Sequence, residues 1–130
     1  MIADPVAAML SHIYNSVRAR KRLIRLPYSK FKLAILTAIR ACGYLERVSV
    51  LRHSRHVAEL VAELAYVAGE PILKKLTQIS KPGRRVYWSR AQALACSRRR
   101  LGVCLLSTNL GVITTLASPP VGGEAICRLV

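Results

Sequence analysis

Val6, Met9, Leu10, Ile13, Tyr14 and Val17 recur at steps of three and four, a spacing that predicts an amphipathic helix with one apolar stripe. Asp4 followed by Pro5 starts it, an N-cap oxygen and then a residue whose missing N–H costs nothing at the first helical position. Leu23, Ile24 and Leu26 lie between basic residues in a stretch short enough for one strand, ended by Pro27. Ser29 is placed to cap a second helix, with Phe31, Leu33, Ala34, Ile35, Ala38 and Ile39 facing inward and Gly43 at the left-handed C-terminal position. Leu45, Val48, Val50 and Leu51 predict a strand.

The next block is two-sided. Val57, Leu60, Val61 and Leu64 fit a helix, whereas Leu60, Ala62, Leu64 and Tyr66 fit an alternating strand, and periodicity alone slightly favours the helix. Gly69 with Pro71 marks a turn. Pro82-Gly83 is a tight-turn dipeptide, with Val86, Tyr87 and Trp88 as a strand behind Arg84 and Arg85. Ser89 caps a short helix reaching Leu94 or Cys96. Val103 to Leu106 is a continuous apolar run of the kind a doubly covered strand shows. It stops at Ser107, Thr108, Asn109 and Gly111, and "GGEAICRLV" supplies a terminal strand. Helices and strands thus concentrate in an N-terminal α/β lobe, 1–68, and a C-terminal β-rich lobe with one short helix, 69–130. The fold class expected is α+β in two small lobes.

Charge changes the picture. Lys and Arg number 21 against 6 Asp and Glu, a formal net charge of +15, and the chain is 52% hydrophobic, so this is a folded basic protein rather than a disordered tail. Such an imbalance implies a polyanionic partner, nucleic acid first and anionic membrane second. Leu101 to Gly123 carries no charge and follows Arg98, Arg99 and Arg100, which raises a transmembrane helix. Ser107, Thr108 and Asn109 in mid-span, Pro119 and Pro120 in the last turns, and the scattered glycines argue against it. The N-terminus has no secretory pattern and reads as the start of the fold.

Candidate chemistry is sparse. Cys42, Cys96, Cys104 and Cys127 show no zinc-ligand spacing and read as reduced core cysteines. His53 and His56 sit among arginines with no third ligand nearby, so no metal site is expected. Asp4 is the sole aspartate, which leaves no Ser/His/Asp site. No catalytic residue, cofactor or small-molecule substrate is expected.

Several stretches resemble, in order, the bacterial-type ribosomal small-subunit protein eight family. "DPVAAMLSHIYN" is similar to its opening helix, "LPYSKFKLAI" to its second helix, "ISKPGRRVY" to its central turn, and "LGVCLLSTNLGVIT" and "VGGEAIC" to the two signatures of its C-terminal half. The resemblance covers essentially the whole chain. It implies that "ELVAELAY" is a strand, against the local helical pattern. It also implies direct binding to the central domain of small-subunit rRNA early in assembly, ordering of the platform, neighbouring small-subunit ribosomal proteins as partners, a monomer within the ribosome, and no enzymatic activity or membrane. Some bacterial members repress their own operon through a messenger site, so an RNA- or DNA-binding regulator using the same surface is the alternative. Two departures stand out: the family's Ser-Thr-Ser followed by a basic or polar residue is here Ser107-Thr108-Asn109-Leu110, and its charged segment after the next strand is here "TLASPP".

The candidate RNA-binding residues follow from both lines. Lys30 and Lys32 at the second helix start, with Lys81, Arg84 and Arg85 around the Pro-Gly turn, are candidates for phosphate contacts. Tyr87 is the candidate for stacking, with Trp88 on the opposite face of the strand. Ser107, Thr108 and Asn109, with Glu124 on a neighbouring strand, are candidates for shape-reading contacts to 2′-hydroxyls and base edges, Glu124 accepting from a base amino group or from the turn's own N–H groups. Fifteen of the 21 basic residues are Arg, cysteine and leucine are frequent, and family charges are missing near the C-terminus. This composition favours a ribosome in an organelle, the mitochondrion, over the bacterial cytoplasm.

Overall fold

The computed structural model describes residues 5–81, 83–99, 102–109, 111–115 and 122–130. Asp4 as a cap, Pro82 of the turn dipeptide, Leu110 and the "TLASPP" residues beyond Thr115 lie outside the described residues. The chain divides into two compact units, Met1–Lys74 and Lys75–Val130.

In the first unit, α1 (Pro5–Arg18), β1 (Leu23–Pro27), α2 (Lys30–Ala41), β2 (Leu45–Arg52) and β3 (Ala58–Leu64) precede a small hairpin of β4 (Tyr66–Val67) and β5 (Glu70–Pro71). β1, β3 and β2 form an antiparallel sheet in that order, so the last strand lies in the middle. The stripe of α1 buries Met9, Leu10, Ile13, Ser16 and Val17. Alternation along β1 buries Ile24 and Leu26, and along β3 it buries Leu60, Ala62 and Leu64. Ser29, in an extended conformation, caps α2 by accepting from the Lys32 N–H at 3.5 Å, and Gly43 takes φ +89 after its end. Leu36 joins Ile35, Ala38 and Ile39 in the buried face of α2, whereas Phe31, expected inside, is exposed.

One ambiguity is settled here. The block 58–64 is a strand, as the family resemblance implied and against the helical periodicity, because two partner strands satisfy its backbone. The first compact unit runs through Lys74 and includes the β4–β5 hairpin. Gly69 and Pro71 belong to the β4–β5 hairpin, whose Ala68 (φ 53) and Gly69 (φ +81) make its left-handed turn. Arg20 ties that turn to the first unit, donating to the Gly69 carbonyl at 3.1 Å and pairing with Glu70 at 3.2 Å.

The second unit holds β6 (Leu76–Gln78), β7 (Tyr87–Trp88), α3 (Arg90–Arg99), β8 (Val103–Thr108), β9 (Gly111–Thr114) and β10 (Gly123–Leu129). Its antiparallel sheet runs β6-β10-β8-β9, with β7 also paired to β10. Val103, Cys104, Leu105 and Leu106 are all buried, so the uncharged run is a strand covered on both faces. Ala93 of α3, Leu106 and Ala125 form a core to which Ile79, Val86, Trp88 and Ile113 contribute. Ser89 and Gln92 cap α3 reciprocally: the Gln92 N–H donates to Ser89 Oγ at 3.3 Å, and the Ser89 N–H to Gln92 Oε1 at 2.8 Å. With no Gly or Pro to stop it, α3 continues past Cys96 to Arg99. Mostly antiparallel strands with three helices among the described residues make this an α+β fold with a C-terminal β lobe. No described helix is long and apolar enough to cross a membrane.

Candidate nucleic-acid interface

The register of the second sheet assembles a row. Glu124 of β10 lies opposite Tyr87 of β7 on one side and Ser107 of β8 on the other, and Ser107 lies opposite Val112 of β9. Directly opposed residues share a face, so Tyr87, Glu124, Ser107 and Val112 line one side of four strands. The flanking register, Leu106 against Ala125 and Trp88 against Gly123, puts the apolar partners on the other side, where Ala93 packs. Tyr87 is 68% exposed while Trp88 packs on the core, the division expected of adjacent strand residues.

Close backbone approach holds this row together. A Cβ on Gly123 would lie 2.3 Å from the Ser107 carbonyl oxygen, and one on Gly122 would lie 2.8 Å from that of Trp88. Neither position leaves room for a side chain, so glycine is what lets these strands meet. Beyond Ser107 the chain turns at Asn109, and Gly111 takes φ +105 in open space. The Thr108 hydroxyl donates to the Gly111 carbonyl at 2.8 Å, closing the turn. Its oxygen keeps acceptor capacity. Ser107 and Thr108 are half-buried and Asn109 is exposed.

The basic loop stands at the other end of the row. Lys81 and Arg84 exchange backbone hydrogen bonds of 3.0 and 2.9 Å around Gly83 at φ +77. Buried Ser80 clamps the loop base, accepting from the Val86 N–H at 3.0 Å and donating to the Val86 carbonyl at 3.3 Å. Lys81, Arg84 and Arg85 are all exposed. Arg85 Nη1 stands 3.6 Å from Glu124 Oε1, so the loop sets an arginine against that carboxylate. This pair joins the loop to the row. Lys30 and Lys32 are in the first unit, at the capped start of α2, Lys30 exposed and Lys32 half-buried.

Sequence reasoning missed the Ser80 clamp, the Arg85–Glu124 pair and the close approach at Gly123. The Ser89-x-x-Gln92 pattern of a capping box was there to be read. The Arg85–Glu124 pair and the Gly123 approach depend on which strands become neighbours, and the Ser80 clamp on how the loop between Ser80 and Val86 closes. Among the described residues no group of three or more His, Cys, Asp or Glu is placed to hold a metal ion.

Comparison with known proteins agrees with this architecture. The family "Ribosomal protein S8" matches residues 4–130. The chain is 38% identical over 130 residues to "Small ribosomal subunit protein uS8" of Gluconobacter oxydans (strain 621H), covering 98% of each chain. It is 39% identical to the protein of that name in Gluconacetobacter diazotrophicus and 35% identical to that of Brucella abortus (strain S19), again over 98% of each. These relatives are bacterial and lend no support to a mitochondrial assignment.

Proposed function

The chain belongs to the ribosomal protein S8 family, structural proteins of the small ribosomal subunit and not enzymes, and on that premise we propose that it binds small-subunit rRNA directly. Its target is the central domain, and its binding helps order the platform during assembly. The row Tyr87–Glu124–Ser107, flanked by the Thr108–Gly111 turn and the exposed Lys81–Arg85 loop, is the observation that supports this most strongly. Structured RNA displays 2′-hydroxyls in a wide, shallow minor groove and hides its major-groove edges. Short hydroxyl and amide groups at the end of the sheet fit that close approach, and Lys81 and Arg84 reach phosphates from beside it. Glu124, steadied by Arg85, accepts from a base amino group or a 2′-hydroxyl, donors that make a carboxylate among phosphates favourable.

Competition at matched salt tests this. A central-domain fragment of small-subunit rRNA is expected to displace a labelled copy of itself well below the concentration at which a DNA duplex of equal length does. Preference for the duplex would favour a DNA-binding regulator and overturn the proposal.

A further inference from the structure

Cys96 near the end of α3 and Cys104 in β8 are far from a motif in sequence, yet their Sγ atoms stand 3.1 Å apart. Two thiolates sharing a tetrahedral zinc through bonds of about 2.3 Å would be held about 3.8 Å apart, so this pair is too close for a shared metal. It lies on the way to a sulfur–sulfur bond of about 2.05 Å. The partners are unequal. Cys96 is partly exposed, whereas Cys104 is fully buried and held by its backbone, its N–H donating to Thr115 Oγ1 at 3.2 Å and its carbonyl accepting from the Thr115 N–H at 2.9 Å. Arg128 lies opposite Cys104 across β8 and β10, so both side chains stand on one face of the sheet.

We propose that Cys96 and Cys104 form a reversible redox modification site, oxidised by a low-molecular-weight disulfide such as oxidised glutathione to an intramolecular cystine. The accessible Cys96 thiolate attacks one sulfur of glutathione disulfide, forming a mixed disulfide and expelling one glutathione thiolate. Cys104 then attacks Cys96 Sγ as a thiolate, its proton passing to solvent or to the departing glutathione. The second glutathione leaves as the intramolecular bond forms. In balance, two protein thiols give up two hydrogens and one glutathione disulfide becomes two glutathione thiols.

Burial pushes the Cys104 thiol up to about 11, with the Cys96 hydrogen bond adding to the rise, so Cys104 waits as the resolving group. The Arg128 guanidinium acts the other way and supports the thiolate as it forms. Arg98, Arg99 and Arg100 fall between the two cysteines in sequence, so the bond closes a short loop around the arginine run.

The test equilibrates the full chain in glutathione buffers of increasing oxidised fraction, traps free thiols by acid and alkylation, and reads the mass and the peptide map. Cleavage at the arginine run separates the two cysteines, so a cross-linked peptide is diagnostic. The expected product is lighter by two hydrogens, joins Cys96 to Cys104, persists when Cys42 and Cys127 are both serine, and disappears in Cys96→Ser. Circular dichroism confirms that each variant is folded, and the map of the unmodified chain decides even if a substitution is not tolerated. Persistent glutathione adducts without the cross-link, a bond mapped to Cys42 or Cys127, or no loss of hydrogens under oxidising conditions would each overturn the proposal.

Discussion

The two units handle charge differently. The first, 1–74, has twelve basic and five acidic residues, and three of its glutamates sit against its own arginines or a histidine: Arg20 with Glu70 at 3.2 Å, Arg22 with Glu63 at 3.4 Å, and His53 with Glu59 at 3.4 Å. The second, 75–130, has nine basic residues and one acid, Glu124. That acid is not spread over a surface but fixed in a strand row between Tyr87 and Ser107 with Arg85 against it. Exposed ion pairs such as those of the first unit contribute about 0.2 to 1 kcal/mol each and identify nothing. A lone carboxylate in a basic, hydroxyl-rich face is a placed group. Where one sign of charge is scarce, its position carries more information than the abundance of the other.

The backbone gives the sharpest way to separate the units. Replacing Gly123 with alanine drives a Cβ to within 2.3 Å of the Ser107 carbonyl oxygen, so β8 and β10 must part, at about 3 kcal/mol or more of stability. Gly43→Ala in the first unit meets open space and bears only the left-handed conformation at φ +89, about 1 to 2 kcal/mol. Chemical denaturation compares the two, and equal losses would mean that β8 and β10 are not held as closely as their register requires.

That difference also shows what the sequence reveals. Positions governed by local rules were legible: the α1 stripe, Ser29 and Gly43 at the ends of α2, and the apolar run of β8. The strand 58–64 was not legible from its pattern, because Val61 recurs at helical spacing while Ala62, the middle of the buried alternation, is a weak apolar signal. The family resemblance resolved it. Within the candidate site, the turn chemistry of Ser107, Thr108 and Gly111 could be read in order along the chain. The Arg85–Glu124 pair and the Cys96–Cys104 contact could not, since each joins separate elements and only packing brings them together.

Capping gives a smaller contrast. Ser89→Ala removes one arm of a reciprocal box on α3 and leaves the Gln92 N–H without its acceptor, at about 1 kcal/mol. Ser29→Ala loses a single bond of 3.5 Å and is expected to cost less, about 0.5 kcal/mol. Thermal melts of the two variants check this order, and a costlier Ser29 would reverse it. Smallest of all is Arg20→Ala, expected to change stability by about 0.5 kcal/mol or less and to leave the salt dependence of RNA binding as it was. A clear loss of slope in that variant would move phosphate contacts into the first unit's paired arginines.

The central claim is that the second unit recognises RNA through uncharged turn groups and anchors it through separate cations. The most direct measurement is log affinity for a central-domain rRNA fragment against log salt, for the unaltered chain, for Ser107, Thr108 and Asn109 together replaced by alanine, and for Lys81→Ala with Arg84→Ala. The unaltered chain should show a slope of roughly −3 to −6, from several phosphate contacts. The triple alanine chain should bind more weakly by about 1 to 3 kcal/mol for each group whose buried partner is left unpaired, with the slope nearly unchanged. The Lys81 and Arg84 variant should lose about 0.7 to 0.9 of slope for each cation that meets a phosphate. A triple alanine chain that binds as tightly as the unaltered one, or that loses slope, would contradict the account.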